Sequence, residues 1–569
     1  MKSLVCAAVL AGITASFGMA QTKKANTPSH QHYKEDEKAM KPAPTGQLAP
    51  RLQNLGPHTF PVTTLSRDAQ LYMNQGLNLA YGFNHAEAGR SFREAARLDP
   101  NLAMAYWGQA LVLGPNINAP MAPEDEPKAF ELVQKAVSLK SNASPREQAY
   151  IDALAKRYTG KAEDRDAANK AFAEAMREVA KAFPDDLDAQ SLYAEAMMDL
   201  RPWGYWMPDG EPYEGTAEIV SLIESVLERN SHHPLALHLY IHLIEPTETP
   251  ERAEVAADRL LTLMPGAGHM VHMPSHIYQR IGRYEDAARS NELAALADED
   301  YIVQCQAQGL YPMGYYPHNI HFLWFAASRD GRGQLAIESA RKLASKVTDE
   351  ALKEVPMTAG FRVVPYYALT RFGKWDEMLK EPTPPATSLY LTGVWHYARG
   401  LAFVGKGKIA DAEKELAEVK RIAKDPALEF ALFSPNVASQ IFSIAPDVLG
   451  AEIAAAKKNY DLAISLLERA VRIEDGLVYT EPSEWHYPPR HALGAVLLEA
   501  GRAREAETVY WEDLRRNREN GWALFGLMKA LEAQGKTEEA ALAKSRFEKA
   551  WATADVKLDS SRMHGQATE

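Results

Sequence analysis

Nine of the seventeen histidines fall between His232 and His321, and their spacing is what could do chemistry. His238 and His242 stand four residues apart, as do His272 and His276. On a helix each such pair projects from adjacent turns of one face. Two imidazoles so placed can grip one metal ion at about 2.0–2.1 Å per nitrogen. The two pairs are themselves 34 residues apart. Counted in units that begin at Pro234, Gly268 and Pro317, His238, His272 and His321 are each fifth, and His242 and His276 ninth. His269 and His318 are second, and Glu245 is twelfth. These steps of three or four make one stripe on the first helix of each unit. Leu237, Tyr240, Ile241 and Ile244 take the other faces, as do Ile277 and Ile281, so the stripe is expected to face a shared groove instead of the core. A lone helical histidine is usually a hydrogen-bonded or surface residue. Recurrence in three units is what makes His238, His242, His269, His272, His276, His318 and His321 candidate ligands.

Imidazole donors suit zinc, copper, iron or nickel, whereas calcium and magnesium take oxygen. Zinc or copper leads, with iron as a further candidate. Helices packed about 8–10 Å apart can present these rings to one complete site or to two adjacent ones. Met270 and Met273 interleave the second histidine group, His269, His272 and His276, and hint at copper, but they fall off the stripe, where packing is their expected job. Glu245 is the natural carboxylate, as a ligand or as an acid/base group. A second polar cluster, YTEPSEWHYPPRHALG, carries Glu481, Glu484, Trp485, His486, Arg490 and His491. His491 is fifth in a unit counted from Tyr487, which aims it at the same groove. Glu245, Glu484, Arg490 and His491 are therefore the candidates for catalysis. The plainer reading of the second cluster is a loop whose polar groups cap the next helix. Tyr81, Trp107, Trp203, Tyr205, Trp206, Tyr315 and Tyr316 are candidate walls of the groove, although most aromatics such as Trp107 are expected to pack between helices.

The elements that must position these residues are helices. Helical periodicity rich in Ala, Leu, Glu and Arg runs from Asp68 to Trp551, and strand signals are scarce. A fixed period is visible in it. The segment LYMNQGLNLAYGFNHAEAGRSFREAARLDPN places Gly76, Ala88, Phe92, Ala95 and Pro100 where a helical hairpin wants small residues, an aromatic and a terminator. Related units begin near Ala69, Pro234, Gly268, Pro317, Gly393, Ile444, Tyr487 and Gly521. Their second helices are marked by Gly282 with Ala287, Gly331 with Ala336, Gly407 with Ala412, Ala463 with Ala470, Gly501 with Ala506, and Gly535 with Ala540. These spacings resemble the tetratricopeptide repeat, and FNHAEAGRSFREAARLDPNLAMAYWGQALVLGPNIN and EPSEWHYPPRHALGAVLLEAGRAREAETVYWEDLRRNRENGWALFGL are similar to exported bacterial proteins of that kind. The resemblance covers most of the mature chain. It implies an all-α, right-handed superhelical α-solenoid whose first helices line a concave groove, and it supplies no catalytic residues. One such hairpin cannot bury its own apolar face, whereas stacked hairpins share a continuous core.

The ends and the composition set further bounds. Lys2, an apolar run from Leu4 to Phe17 and small residues at Gly18 and Ala20 read as a signal peptide over 1–20, too short to span a bilayer. Residues 21–61 read as a polar disordered linker, in which His30 and His32 have no assigned role. Cys6 leaves with the signal peptide, so Cys305 alone remains, and neither an intramolecular disulfide nor a thiolate metal cluster can form. A net charge of −12 makes nucleic acid an unfavourable partner. Nucleophile-elbow, phosphate-loop, dinucleotide and HExxH motifs are lacking.

The organisation expected from the repeat phase is helical repeats over 62–232, His-rich repeats forming a metal groove over 233–350, further repeats over 351–555 and a disordered tail over 556–569. The expected protein is exported, periplasmic or secreted, with no membrane span, and holds a transition metal in a histidine-lined groove. The groove also takes a peptide, protein or small molecule. If an open coordination position activates water or dioxygen, the protein is a metalloenzyme; the alternative is a metal-free protein–protein interaction scaffold.

Overall fold

A computed structural model describes residues 46–307, 311–432 and 436–563. The expected signal peptide, His30, His32, the start of the polar lead and the last residues of the tail lie outside them. Among the described residues there are helices and turns, with three isolated bridges and no strand, so the fold is all-α. Consecutive helices joined by short turns pack side by side: Arg67–Tyr81 with His85–Leu98, Leu389–Gly405 with Ile409–Ile422, Gly521–Ala533 with Thr537–Ala550.

The marker residues explain the packing. Phe92 lies against Gly76 on one side and Gly108 on the other, where a Cβ would come within 2.5 Å and 2.6 Å of its ring. Tyr510 is held the same way by Gly494 and Gly526. An aromatic wedge between two glycines thus locks neighbouring hairpins at both ends of the repeat series. Gly331, Gly407, Gly501 and Gly535 all have positive φ, the left-handed turn that ends a first helix and is open to glycine without steric cost. The alanines that follow them, Ala336, Ala412, Ala506 and Ala540, are buried where the two helices touch.

The described chain divides into two compact units, residues 46–278 with 290–319, and residues 279–289 with 320–563. Neither expected boundary, at 232 or 350, coincides with this division. The polar lead also differs from expectation. From Gln47 it is strapped to the first hairpin: Leu48 N donates to Glu94 (2.9 Å), Leu52 N to Gln75 (2.8 Å) and Phe60 N to Asn74 (3.0 Å). Phe60 is buried beside Trp107 and Tyr150. Sparse apolar residues suffice here because backbone donors find side-chain acceptors. The tail is likewise ordered to residue 563. Ser561 bonds Tyr510 (2.7 Å), and the buried Arg562 pairs with Glu452 and Glu499.

Candidate metal centre

Six of the seven candidate histidines converge in the first unit, in two groups of three. Pro234–Ile244 begins with a proline at its first turn and is capped by His233, whose Nδ1 accepts from Ala236 N at 3.3 Å. It presents His238 and His242. Gly268–His272 presents His269 at its start and His272 at its end, and Pro274–Ile281 presents His276. The chain turns at Met273 because Pro274 lacks the donor that would continue the helix, yet His272 and His276 stay on one face. His318 comes from Tyr316–Arg329.

In the first group the Nε2 atoms of His242 and His269 each lie 3.1 Å from Nε2 of His238. In the second, Nε2 of His272 and His276 are 2.9 Å apart, and the His318 ring stands 4.9 Å from that of His272. The recruitment is regular: each group takes the fifth and ninth residues of one unit and the second residue of the next. The groups adjoin, with ring centroids 6.0 Å apart for His242 and His276 and 5.9 Å for His269 and His272. The expectation of an open groove is not met. His238, His242, His269, His272 and His276 are all buried, because helix faces that would line a channel are closed over by Phe83, Trp203 and Tyr315. Phe83 packs 4.5 Å from His238 and 5.6 Å from His269, and Tyr315 sits 4.8 Å from His269. Phe83 holds φ at 59°, a left-handed conformation costly for an aromatic residue, and its ring covers the first group.

The outer ring nitrogens have partners of their own. His238 Nδ1 donates to the Tyr81 carbonyl at 2.7 Å and His272 Nδ1 to Asn291 Oδ1 at 2.6 Å, while His276 Nδ1 lies 2.8 Å from a Glu245 carboxylate oxygen. Glu245 also lies 3.6 Å from His242 Nδ1, so one carboxylate backs a histidine of each group. Burial would raise the Glu245 carboxyl, but the adjacent rings of His276 and His242 outweigh it and hold it at about 2. Burial drives His238, His269 and His272 well below the usual imidazole range, and their histidine neighbours push the same way. Further out, Tyr311 donates to Asp298 (2.7 Å) and accepts from His269 N (3.2 Å). Burial raises Asp298 to about 7.

Sequence reasoning missed several supporting residues. Asp188 gathers His58 (2.9 Å), His233 (3.2 Å) and the Tyr81 hydroxyl (2.7 Å) on one oxygen. This trio has the composition of a metal site. However, Nδ1 of His233 is engaged as a helix cap, which leaves its proton on Nε2, 3.2 Å from Asp188. The hydrogen bonds of His58 and Tyr81 to Asp188 therefore anchor Tyr81, and through the Tyr81 carbonyl His238. His58 was hidden in the presumed linker, but His233-Pro234 was legible as a helix start.

The remaining candidates lie elsewhere. His321 belongs to the other unit, where it stacks on Trp324 (5.3 Å) and meets Phe361 edge-on. Burial lowers it to about 3. Arg490 makes a two-pronged contact with Asp475 at 2.7 Å and 2.8 Å, Glu484 accepts from Asn436 at 2.8 Å, and the buried His491 pairs with Asp513 at 2.9 Å. These three also lie in the second unit, with His491 3.0 Å from Arg371. Met270 and Met273 are buried, and Met270 packs at Gly82, in the packing role expected of it.

No family model and no curated relative matches the chain. Among solved structures it is similar to the APC/C hetero-tetramer Cut9-Hcn1 (13% identity, 86% of this chain and 80% of that one, TM-score 0.32). Others are the human IFIT1 dimer with m7Gppp-AAAA (12%, 79% and 90%, 0.30) and yeast Tom70 (12%, 84% and 90%, 0.27). The helix pairs themselves, with their glycine turns, buried alanines and aromatic wedges, make this an all-α protein of packed helical hairpins.

Proposed function

We propose that this chain is an exported helical-repeat protein that binds two transition-metal ions, one in His238, His242 and His269 and one in His272, His276 and His318. One observation carries the reading. Nδ1 of His272 donates to Asn291 Oδ1, and Nδ1 of His276 faces a Glu245 carboxylate oxygen at 2.8 Å, so in both neutral rings the proton is outside and Nε2 offers a lone pair. Those lone pairs face one another at 2.9 Å. Two acceptors at that distance repel unless a cation stands between them. A proton is a poor solution, since burial opposes imidazolium. A metal ion suits the geometry: two nitrogens around a tetrahedral ion stand about 3.3 Å apart at normal bond lengths. The outer carbonyl, amide and carboxylate acceptors are the partners that fix ligand histidines in place.

In this reading Glu245 is a positioning residue, because its oxygens face Nδ1 atoms. Metal analysis of the purified chain, with thermal unfolding before and after chelation, tests it. Two ions per chain and a lower unfolding temperature after chelation are expected; metal-free protein of unchanged stability overturns it. The second reading is a metal-free interaction scaffold. Leu200, Trp203 and Met207 favour it, exposed apolar side chains within one short stretch. Under it, chelation changes neither stability nor the surface of that loop.

A further inference from the structure

The two histidine groups adjoin, and their ligands carry no charge. Within this unit, the carboxylate beside the ligand nitrogens is Glu245, and it stands behind His242 and His276. Two dipositive ions would bring four positive charges into a chamber whose histidines are almost wholly buried. Two monopositive ions would bring two. The cost of a buried charge rises steeply with its size, so neutral six-imidazole ligation favours the lower state. Copper is the imidazole-binding metal that is stable with a single charge and can surrender one more electron. Once both ions are oxidised, the added charge requires an anion, and the contact between groups at 5.9–6.0 Å gives one small anion access to both.

Resting on the two-ion reading above, we infer that the paired sites hold copper in its monovalent state and take dioxygen as their ligand. The step balances without a further reagent: each copper(I) gives one electron and becomes copper(II), and dioxygen accepts the two electrons to become peroxide. The O–O bond order falls from two to one, and the dianion binds both ions. When dioxygen leaves, the two electrons return to the ions and copper(I) is restored, so the uptake is reversible. A single three-histidine site supplies only one electron, so the pairing of groups is what the step needs. The Trp203 ring, edge-on to His242 at 5.1 Å and 46% exposed, is the part of the cover over the histidines that meets solvent.

The test loads the full chain with copper(I) under anaerobic conditions, counts bound copper, and then admits measured dioxygen. Expected are two coppers per chain, one dioxygen consumed per two coppers, a new near-ultraviolet charge-transfer absorption and no electron paramagnetic resonance, because the bridged spins couple. Copper that stays monovalent in air, or oxidises to give the resonance of isolated copper(II), overturns the inference and leaves two-ion binding standing. Binding of two zinc ions with rejection of copper(I) does the same. Failure to bind any metal overturns both. A His318→Ala chain, checked for helix content, is expected to hold one copper well and to lose the coupled dioxygen uptake; the wild-type arms decide the matter if it does not fold.

Discussion

Glu245 touches Nδ1 of His276 at 2.8 Å and approaches Nδ1 of His242 at 3.6 Å, so removing its carboxylate reaches both groups at once. Outer partners of metal-bound histidines are worth about 10–100-fold in affinity, or about 1.4–2.7 kcal/mol. A Glu245→Ala chain is therefore expected to bind both ions more weakly by that factor, the second group more than the first because its contact is shorter. Glu245→Gln keeps one oxygen acceptor and should recover part of the loss. Competition against a chromophoric chelator measures both sites, and denaturant unfolding of loaded and stripped protein supplies the control. If metal fills the centre, the substitution lowers the stability of loaded protein and leaves stripped protein much less affected. If the Glu245–His276 pair is instead a structural ion pair, breaking it costs about 3–5 kcal/mol with or without metal. Equal losses in the two states, with unchanged affinity, would refute the positioning role.

Further expectations follow from particular contacts. Gly268→Ala places a Cβ on the Asp298 carboxylate, which accepts from Tyr311 and Asn319; overpacking of this kind costs about 1–3 kcal/mol, and metal affinity should fall with stability because His269 and His272 share that helix. Trp203→Ala should speed metal loss to a chelator with little change in equilibrium affinity, as measured by stopped-flow, since this half-exposed ring covers His242. Burial holds His321 at about 3, below the unfolded value of about 6.5, so the unfolded chain gains protons first and stability falls as pH drops below 6.5. That ring alone should cost about 2 kcal/mol at pH 5 relative to pH 8, and His321→Phe should remove that portion while leaving metal content unchanged. Phe92→Ala empties the wedge between Gly76 and Gly108 and should cost about 3–5 kcal/mol by denaturant unfolding.

The fold was legible because repeat packing depends on residue size at fixed spacing, which the sequence states directly. Gly76 and Phe92 name the contact before any coordinates do. The histidine groups were legible to the same depth: the period placed His238 and His242, then His272 and His276, on a recurrent stripe. It did not reveal that His269 and His318 would complete the preceding groups, since that depends on how far one helix is set along the next. His321 shares its repeat position with His238 and His272 and yet packs on Trp324, because local aromatic neighbours offered it a dry site. Openness was misjudged for a related reason. A stripe of polar side chains looks solvent-facing when only its own helix is considered, and the rings that cover it, Phe83, Trp203 and Tyr315, come from distant segments. Tyr81, Asn291 and Asp188 were invisible as supporting residues because their roles arise from backbone carbonyls and long-range hydrogen bonds.

The central claim is that two groups of three histidines each hold one transition-metal ion. Counting ions per chain in three proteins tests it most directly: the wild type, a His238→Ala/His242→Ala chain and a His272→Ala/His276→Ala chain, with helix content verified in each. Two ions in the wild type and one in each double variant are expected. No stoichiometric metal in the wild type, or a count that is the same in all three proteins, would contradict the claim.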